Sequence, residues 1–340
     1  MDRRAFLGLI AAAAGAAAVG AVVPKVLQSG DRGAAAVLHI SDLFHPHHDP
    51  DDHFDLAAVS ARAAVLGGVV LDGDGGDTGN GRVPIRQMQS ITGQTYPTVA
   101  GARGAATASD PTKLLELLER QPSWSVLNVG ALTDLAAALE TDRKFVTERV
   151  AKVLVFAGEA SPNGYVEHNV AYDPEAYVRV MTSGLPIRWI PCFDGGIWSN
   201  AGLASWVRVP QLPLFASARD PVKRFFTYAF RKLDPQAADP IAYLEVPHPP
   251  EDDEVLADAG EGSGERNLWC GALVDLLETN EIRWRGSQVA RMESAEVAFS
   301  DDGAVSRRGR PVQLERFVVT SPEGYQGWMQ DRLTQLLARL

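Results

Sequence analysis

Ser41-Asp42-Leu43-Phe44-His45-Pro46-His47-His48-Asp49-Pro50-Asp51-Asp52-His53-Phe54-Asp55 is the stretch on which the reading of this chain turns. An apolar run at residues 37–40 precedes it, and residues 54–66 carry apolar side chains at helical spacing. Gly67-Gly68 reads as the end of that helix, and Val69-Val70-Leu71 as a second strand. Strand, loop, helix and strand in that order form one unit of a parallel sheet with crossover helices. The loop packs five carboxylates and four imidazoles into fifteen positions at the carboxyl end of the first strand, where open α/β sheets bind ligands. Such a density of like charge is unfavourable unless a cation neutralises it or solvent screens it. Hard carboxylate oxygens suit calcium, while His45, His47 and His48 leave a transition metal open as a weaker alternative. The plainer alternative is a solvated loop in which Asp51 and Asp52 favour a helix amino terminus.

Working outward, the alternation continues to residue 190. Strands are expected at residues 96–100, 124–129, 153–157 and 187–190. Helices are expected at 111–120, capped by Ser109 or Asp110, at 133–140, and from Asp173-Pro174-Glu175-Ala176 onward. Between 200 and 265 the pattern weakens to one helix at 225–231 and a loop rich in proline, glycine and acid at 247–264. A late helix at 272–278, antiparallel strands at 296–300 and 316–320 joined through Asp301-Asp302-Gly303, and an amphipathic helix at 328–340 close the chain. The fold class is therefore α/β: a Rossmann-like, open, mostly parallel sheet flanked by helices, with a small antiparallel and helical addition at the carboxyl end.

The 340 residues are 46% hydrophobic, enough for a large core, and carry a formal charge of −11. That charge disfavours nucleic acid and anionic membrane surfaces as partners and leaves cations and neutral small molecules. Cys192 and Cys270 are the only cysteines, far apart in sequence and without metal-ligand spacing. Met1-Asp2-Arg3-Arg4-Ala5-Phe6-Leu7, followed by an alanine-rich apolar segment, has the layout of a twin-arginine export signal. The expected organisation is a signal and linker at residues 1–33 and one domain at 34–340, exported to the periplasm or beyond. No membrane insertion past the signal is expected, and self-association as a homo-oligomer is left open.

Several landmarks stand in a telling order. His39-Ile40-Ser41-Asp42 and Asp51-Asp52 before Phe54-Asp55-Leu56-Ala57 are followed by Tyr96-Pro97-Thr98-Val99-Ala100-Gly101-Ala102 and Asn128-Val129-Gly130-Ala131-Leu132-Thr133-Asp134-Leu135-Ala136. Val155-Phe156-Ala157-Gly158 and Glu167-His168-Asn169-Val170-Ala171-Tyr172-Asp173-Pro174-Glu175-Ala176 complete the series. In order and spacing this resembles the inosine/uridine-preferring nucleoside hydrolase superfamily, over roughly residues 37–195, with the chain a divergent, exported member and the first turn longer than is typical.

The resemblance implies calcium-dependent hydrolysis of the N-glycosidic bond of a nucleoside or related glycoside. Asp42 would be general base and metal ligand, with Asp51 and Asp52 completing the carboxylate set and Thr133 offering a backbone carbonyl. Asp49, Glu167 and Asn169 would contact the sugar. Two departures stand against turnover. Leu268-Trp269-Cys270 occupies the place of the family's late His-Asp pair, and a thiol is no hard oxygen ligand. The helix after the second strand lacks the usual sugar-contacting asparagine unless Arg86-Gln87 substitutes. The alternative is a ribose-, nucleoside- or carbohydrate-binding protein that keeps the fold without catalysis. Residues 72–81, rich in Asp and Gly, read as a turn, and Trp189, Trp198, Trp206 and Trp269 are either core or the lining of a ligand cleft.

Overall fold

Strand β1, Ala36–Ser41, is buried along its whole length and sends alternate side chains to two separate apolar clusters. Val37 joins the cluster on one face of the sheet, Leu38 and Ile40 the cluster on the other, which is the mark of a strand covered by helices on both sides. The computed structural model describes residues 35–63, 66–72, 81–102, 109–258 and 264–340. The export-signal segment and residues 73–80 of the glycine-rich turn lie outside the described residues.

After β1 come α1 (Asp51–Arg62), β2 (Leu66–Leu71), α2 (Arg82–Thr92), β3 (Thr98–Ala100), α3 (Pro111–Glu119), β4 (Trp124–Asn128) and α4 (Thr133–Arg149). Then follow β5 (Val150–Val155), α5 (His168–Tyr172), α6 (Pro174–Met181), β6 (Ile187–Trp189), β7 (Val207–Pro210), α7 (Asp220–Phe230), α8 (Ala242–Glu245) and α9 (Asp253–Ala257). The chain ends with β8 (Glu265–Leu268), β9 (Glu281–Trp284), β10 (Ser287–Phe299), β11 (Arg310–Val319) and α10 (Pro322–Leu337). The main sheet runs β3-β2-β1-β4-β5-β6-β11-β10-β9. Its strands from β3 to β11 pair in parallel, and β10 and β9 are antiparallel additions. The α/β fold with a carboxyl-terminal antiparallel addition is thus present.

Helices α1, α2, α7 and α10 cover one face and α3, α4 and α6 the other, so the connections leaving β1 and β4 diverge. Neighbouring strands whose connections diverge leave a crevice beyond their carboxyl ends, and ligands bind there in open α/β sheets. The backbone N–H of Val129 donates to Ile40 O at 2.9 Å, locking the two strand ends that frame this crevice.

Local differences from the expected elements have packing causes. Gly67-Gly68 does not end α1 but lies inside β2, and Leu66 belongs to that strand. A Cβ on Gly67 would come within 2.6 Å of the Trp124 ring, and one on Gly68 within 2.8 Å of Leu117. These glycines let the α3 and β4 side chains close on the strand, a tertiary use invisible to local pattern. The terminal hairpin is longer and differently registered than expected, pairing Ala290 with Val319 through Phe299 with Arg310. Phe299 packs edge-on to Trp189 and Tyr177, with ring centroids 5.4 and 5.5 Å away, and burial of that face fixes the register. Strands β7 and β8 form a small antiparallel ribbon that the sequence did not announce.

Candidate functional site

The carboxyl ends of β1, β4, β5 and β6 converge on a cavity of about 370 Å³. Asp42 follows β1 directly, Val129 follows β4, Phe156 follows β5 and Cys192 comes shortly after β6; all four line it. Asp49, Asp51, Asp52 and Asp55 enter from the loop and the first turns of α1, because spacings of three and four residues stack side chains on one helix face. Asp51 and Asp52 also lie where the helix dipole favours negative charge. With Glu167, six carboxylates line one cavity, and no lysine or arginine stands among the described residues that do so.

Neighbouring donors hold several of these acids. Ser41 Oγ donates to Asp52 Oδ1 at 2.7 Å, and the Gly271 N–H donates to Asp55 Oδ1 at 2.7 Å. Buried Arg266 pairs with Asp49 Oδ1 at 3.2 Å while its Nε donates to Gln211 Oε1 at 2.6 Å. Burial, reinforced by the surrounding carboxylates, drives the Asp51 and Asp52 carboxyls well above the usual range. Burial likewise pushes Asp55 up to about 7. A bound cation would relieve the same repulsion that protons otherwise relieve.

The sugar-side candidates are built as a unit. Glu167 caps α5, accepting from Asn169 N at 3.0 Å through one oxygen and from Gly158 N at 3.0 Å through the other. Gly158 has φ +96°, and a Cβ there would meet the Tyr177 hydroxyl at 2.7 Å, so this approach needs glycine. Asn169 Nδ2 donates to Val129 O at 3.0 Å, tying α5 to the end of β4, and its buried Oδ1 is left with no hydrogen-bond partner.

Asp42, Asp49, Asp51, Asp52, Glu167 and Asn169 therefore come together at one cavity. Thr133 is not among the residues lining it; its hydroxyl donates to Asp173 Oδ2 at 2.9 Å. His45, His47 and His48 do not come together at the cavity. His45 Nε2 lies 2.6 Å from Leu233 O and His47 Nε2 3.0 Å from Ala229 O, on the far side of the loop, while only His48 lines the cavity. Gln87 is no substitute sugar ligand, since its Nε2 donates to Pro240 O, and neither it nor Arg86 lines the cavity. Trp189 is core, with Nε1 donating to Ala157 O, whereas Trp198 and Trp269 do line the cavity.

Cys192 and Cys270 are free, buried and both in the cavity wall. Burial first, then Asp55 and its neighbours, pushes the Cys270 thiol up, so it stays neutral. For a metal, the donor chemistry of Asp42, Asp51 and Asp52 fits a hard, oxygen-seeking dication, and the unpartnered Asn169 Oδ1 adds a neutral oxygen nearby. Cys270 does not fit that donor set. Among the described residues no group of three or more His, Cys, Asp or Glu stands in metal-holding geometry.

Sequence reasoning missed Tyr165, Phe193 and Ile197 in the wall, and Arg266 behind Asp49. Of these only Ile197 leaves a sequence signal, the segment Gly195-Gly196-Ile197-Trp198, which puts large apolar residues in a loop.

A Rossmann-like sheet with an acid-lined cavity at the strand switch is the arrangement of an α/β protein that takes a ligand at its switch point. The family model for inosine-uridine preferring nucleoside hydrolases matches residues 68–244, and the chain belongs to that family, whose members hydrolyse N-glycosyl compounds. In structure it is similar to the inosine-uridine preferring nucleoside hydrolase of Bacillus anthracis, with 15% identity and a TM-score of 0.53 over 90% of this chain and 100% of that one. A plant nucleoside hydrolase matches with 16% identity and a TM-score of 0.54, over 89% and 99% of the two chains. An inosine-guanosine nucleoside hydrolase matches with 11% identity and a TM-score of 0.52, over 89% and 98%. These likenesses establish the fold. No curated protein matches the chain in sequence.

Proposed function

We propose that this cavity hydrolyses the N-glycosidic bond of a ribonucleoside or related glycoside in a calcium-dependent reaction. The observation that carries the reading is the convergence of Asp42, Asp51, Asp52, Glu167 and Asn169 on one cavity at the sheet's switch point. Calcium, held by Asp42, Asp51 and Asp52, would supply positive charge that orients the sugar diol and acidifies a water molecule. Asp42 takes the proton of the attacking water at its carboxylate. Glu167 and Asn169 receive the ribose hydroxyls, Asn169 through its unpartnered Oδ1. As the bond to the base breaks, positive charge develops at the anomeric carbon, and the carboxylate wall favours that charge more than it favours the neutral sugar.

The test incubates signal-free protein with inosine, uridine and nicotinamide riboside, with calcium and with chelator. Release of ribose in calcium and its loss in chelator support the reading; no release from any of the three substrates sinks it. A second reading, binding without turnover, is favoured by the neutral Cys270 thiol where the family places an aspartate. Calorimetric binding of ribose or a nucleoside without release would establish it.

We also propose that the chain is exported through the twin-arginine segment at residues 1–33. Cell fractionation tests this: replacing Arg3 and Arg4 with lysine is expected to retain the protein in the cytoplasm.

A further inference from the structure

The outer wall of the cavity is aromatic. Phe193 stands edge-on to both Trp198 and Trp269, at centroid distances of 5.7 and 6.0 Å, and the two indoles lie 5.8 Å apart. Tyr165 adds a fourth ring, 6.2 Å from Phe193. Trp198 is unusual in two respects. It is 48% exposed, and its φ of +58° is a conformation that bulky side chains rarely adopt. Such strain persists only where the surroundings enforce it, and here they do. Buried Glu159 accepts from Gly195 N at 2.7 Å and Gly196 N at 3.1 Å, while buried Asp194 accepts from Ser161 Oγ at 2.5 Å and Leu203 N at 2.9 Å. The loop is braced to hold a partly exposed indole over the cavity mouth.

Beneath this wall lie six acidic side chains, of which Asp49 is paired with Arg266 and Asp42 and Glu167 flank the sugar side, and, among the described lining residues, there is no lysine or arginine. Aromatic faces and carboxylates attract the same ligand, a flat organic cation. They disfavour an anion, including a nucleobase leaving as its anion. Trp269, whose indole N–H does not ionise at neutral pH, fills a wall position from which no proton can be passed to a neutral base.

We propose that the Phe193, Trp198 and Trp269 wall is a subsite for a cationic aromatic leaving group, so that the preferred substrate class is N-ribosylpyridinium compounds. This rests on the N-glycosidase reading for the ribose half only. In the reaction the C1′–N bond breaks and its electron pair passes to the ring nitrogen, cancelling the positive charge. The pyridine departs neutral and needs no proton. The water oxygen bonds to C1′, and its one released proton goes to Asp42 and then to solvent. Products are ribose, a neutral pyridine and one proton.

The test separates the subsite from catalysis. Calorimetry on signal-free protein compares 1-methylnicotinamide, a cation, with nicotinamide, its neutral counterpart. The cation is expected to bind roughly tenfold tighter. Trp198→Leu is expected to abolish the preference and Trp198→Phe to keep part of it, with unchanged circular dichroism in both. Equal affinities in the wild type, or a preference that survives Trp198→Leu, would overturn the proposal. A second arm compares turnover. Faster hydrolysis of nicotinamide riboside than of inosine and uridine supports the proposal, and the reverse order with no cation preference overturns it while leaving the glycosidase reading standing. A cation preference without turnover of any substrate upholds the subsite and removes the glycosidase reading.

Discussion

The backbone N–H of Gly271 donates to Asp55 Oδ1 at 2.7 Å, tying the helix that opens with the acidic pair to the loop that carries Cys270. Two segments more than two hundred residues apart thereby share one wall of the cavity. The contact also buries a carboxylate with few compensating charges, which has measurable consequences.

Burial pushes Asp55 up to about 7. A carboxyl raised in the folded state stabilises that state below its unfolded value, and the contribution is lost as pH rises through the folded value. Asp55→Asn removes this loss and can still accept from Gly271. In chelator the variant is expected to be more stable than wild type above pH 7, by roughly 1–4 kcal/mol, with the difference vanishing near pH 4. Buried His47, held down to about 4, slopes the other way but does so in both proteins, so the difference in thermal midpoint against pH reads Asp55 together with the Asp51 and Asp52 carboxyls that its charge helps to raise. A flat difference would refute the assignment.

Calcium is expected to raise the thermal midpoint. At a hundredfold excess over its dissociation constant the stabilisation is about 2.7 kcal/mol. Asp52→Asn, which removes charge but keeps an acceptor for Ser41, is expected to weaken the shift at least tenfold in calcium concentration. Scanning calorimetry across a calcium series checks this, and an unchanged shift in Asp52→Asn would exclude the carboxylate as a ligand.

Cys270→Asp should act in opposite directions with and without cation. It adds a carboxylate to a buried wall that already holds Asp55, so in chelator the variant is expected to melt earlier. In calcium it is expected to recover and to bind the ion more tightly than wild type, as titration calorimetry would record. Loss of stability that calcium does not restore would count against a cation at this wall.

Glu159→Gln replaces a carboxylate oxygen with an amide N–H facing the backbone donors of the Trp198 loop, at a cost of about 1–3 kcal/mol. Hydrogen exchange at residues 195–202 is expected to accelerate while the sheet is unchanged. Uniform acceleration would mean that Glu159 supports the whole domain rather than this loop.

Gly67→Ala places a methyl 2.6 Å from the Trp124 ring, and overpacking of this kind costs about 1–3 kcal/mol. Urea denaturation should show that loss without a change in slope. A neutral result would mean that Trp124 can shift.

By itself the sequence determined the fold class and the place of the acidic loop at the carboxyl end of the first strand. Alternating apolar runs and helical periods specify a parallel sheet because each element must bury its own face, and the acids from Asp42 to Asp55 follow the first strand directly. The motif that holds Glu167 and Asn169 was also legible, since it opens a helix, with Glu167 as the cap and Asn169 in the first turn. Tertiary structure decided the rest. Gly67 and Gly68 read locally as a stop, yet Trp124 and Leu117 make them strand residues. The histidines between His45 and His48 read as a cluster, yet the turn of α7 draws His45 and His47 away from His48. Phe193, Trp198 and Trp269 carry no shared local pattern, because contacts between side chains seventy residues apart depend on where strands end in space and not on spacing along the chain.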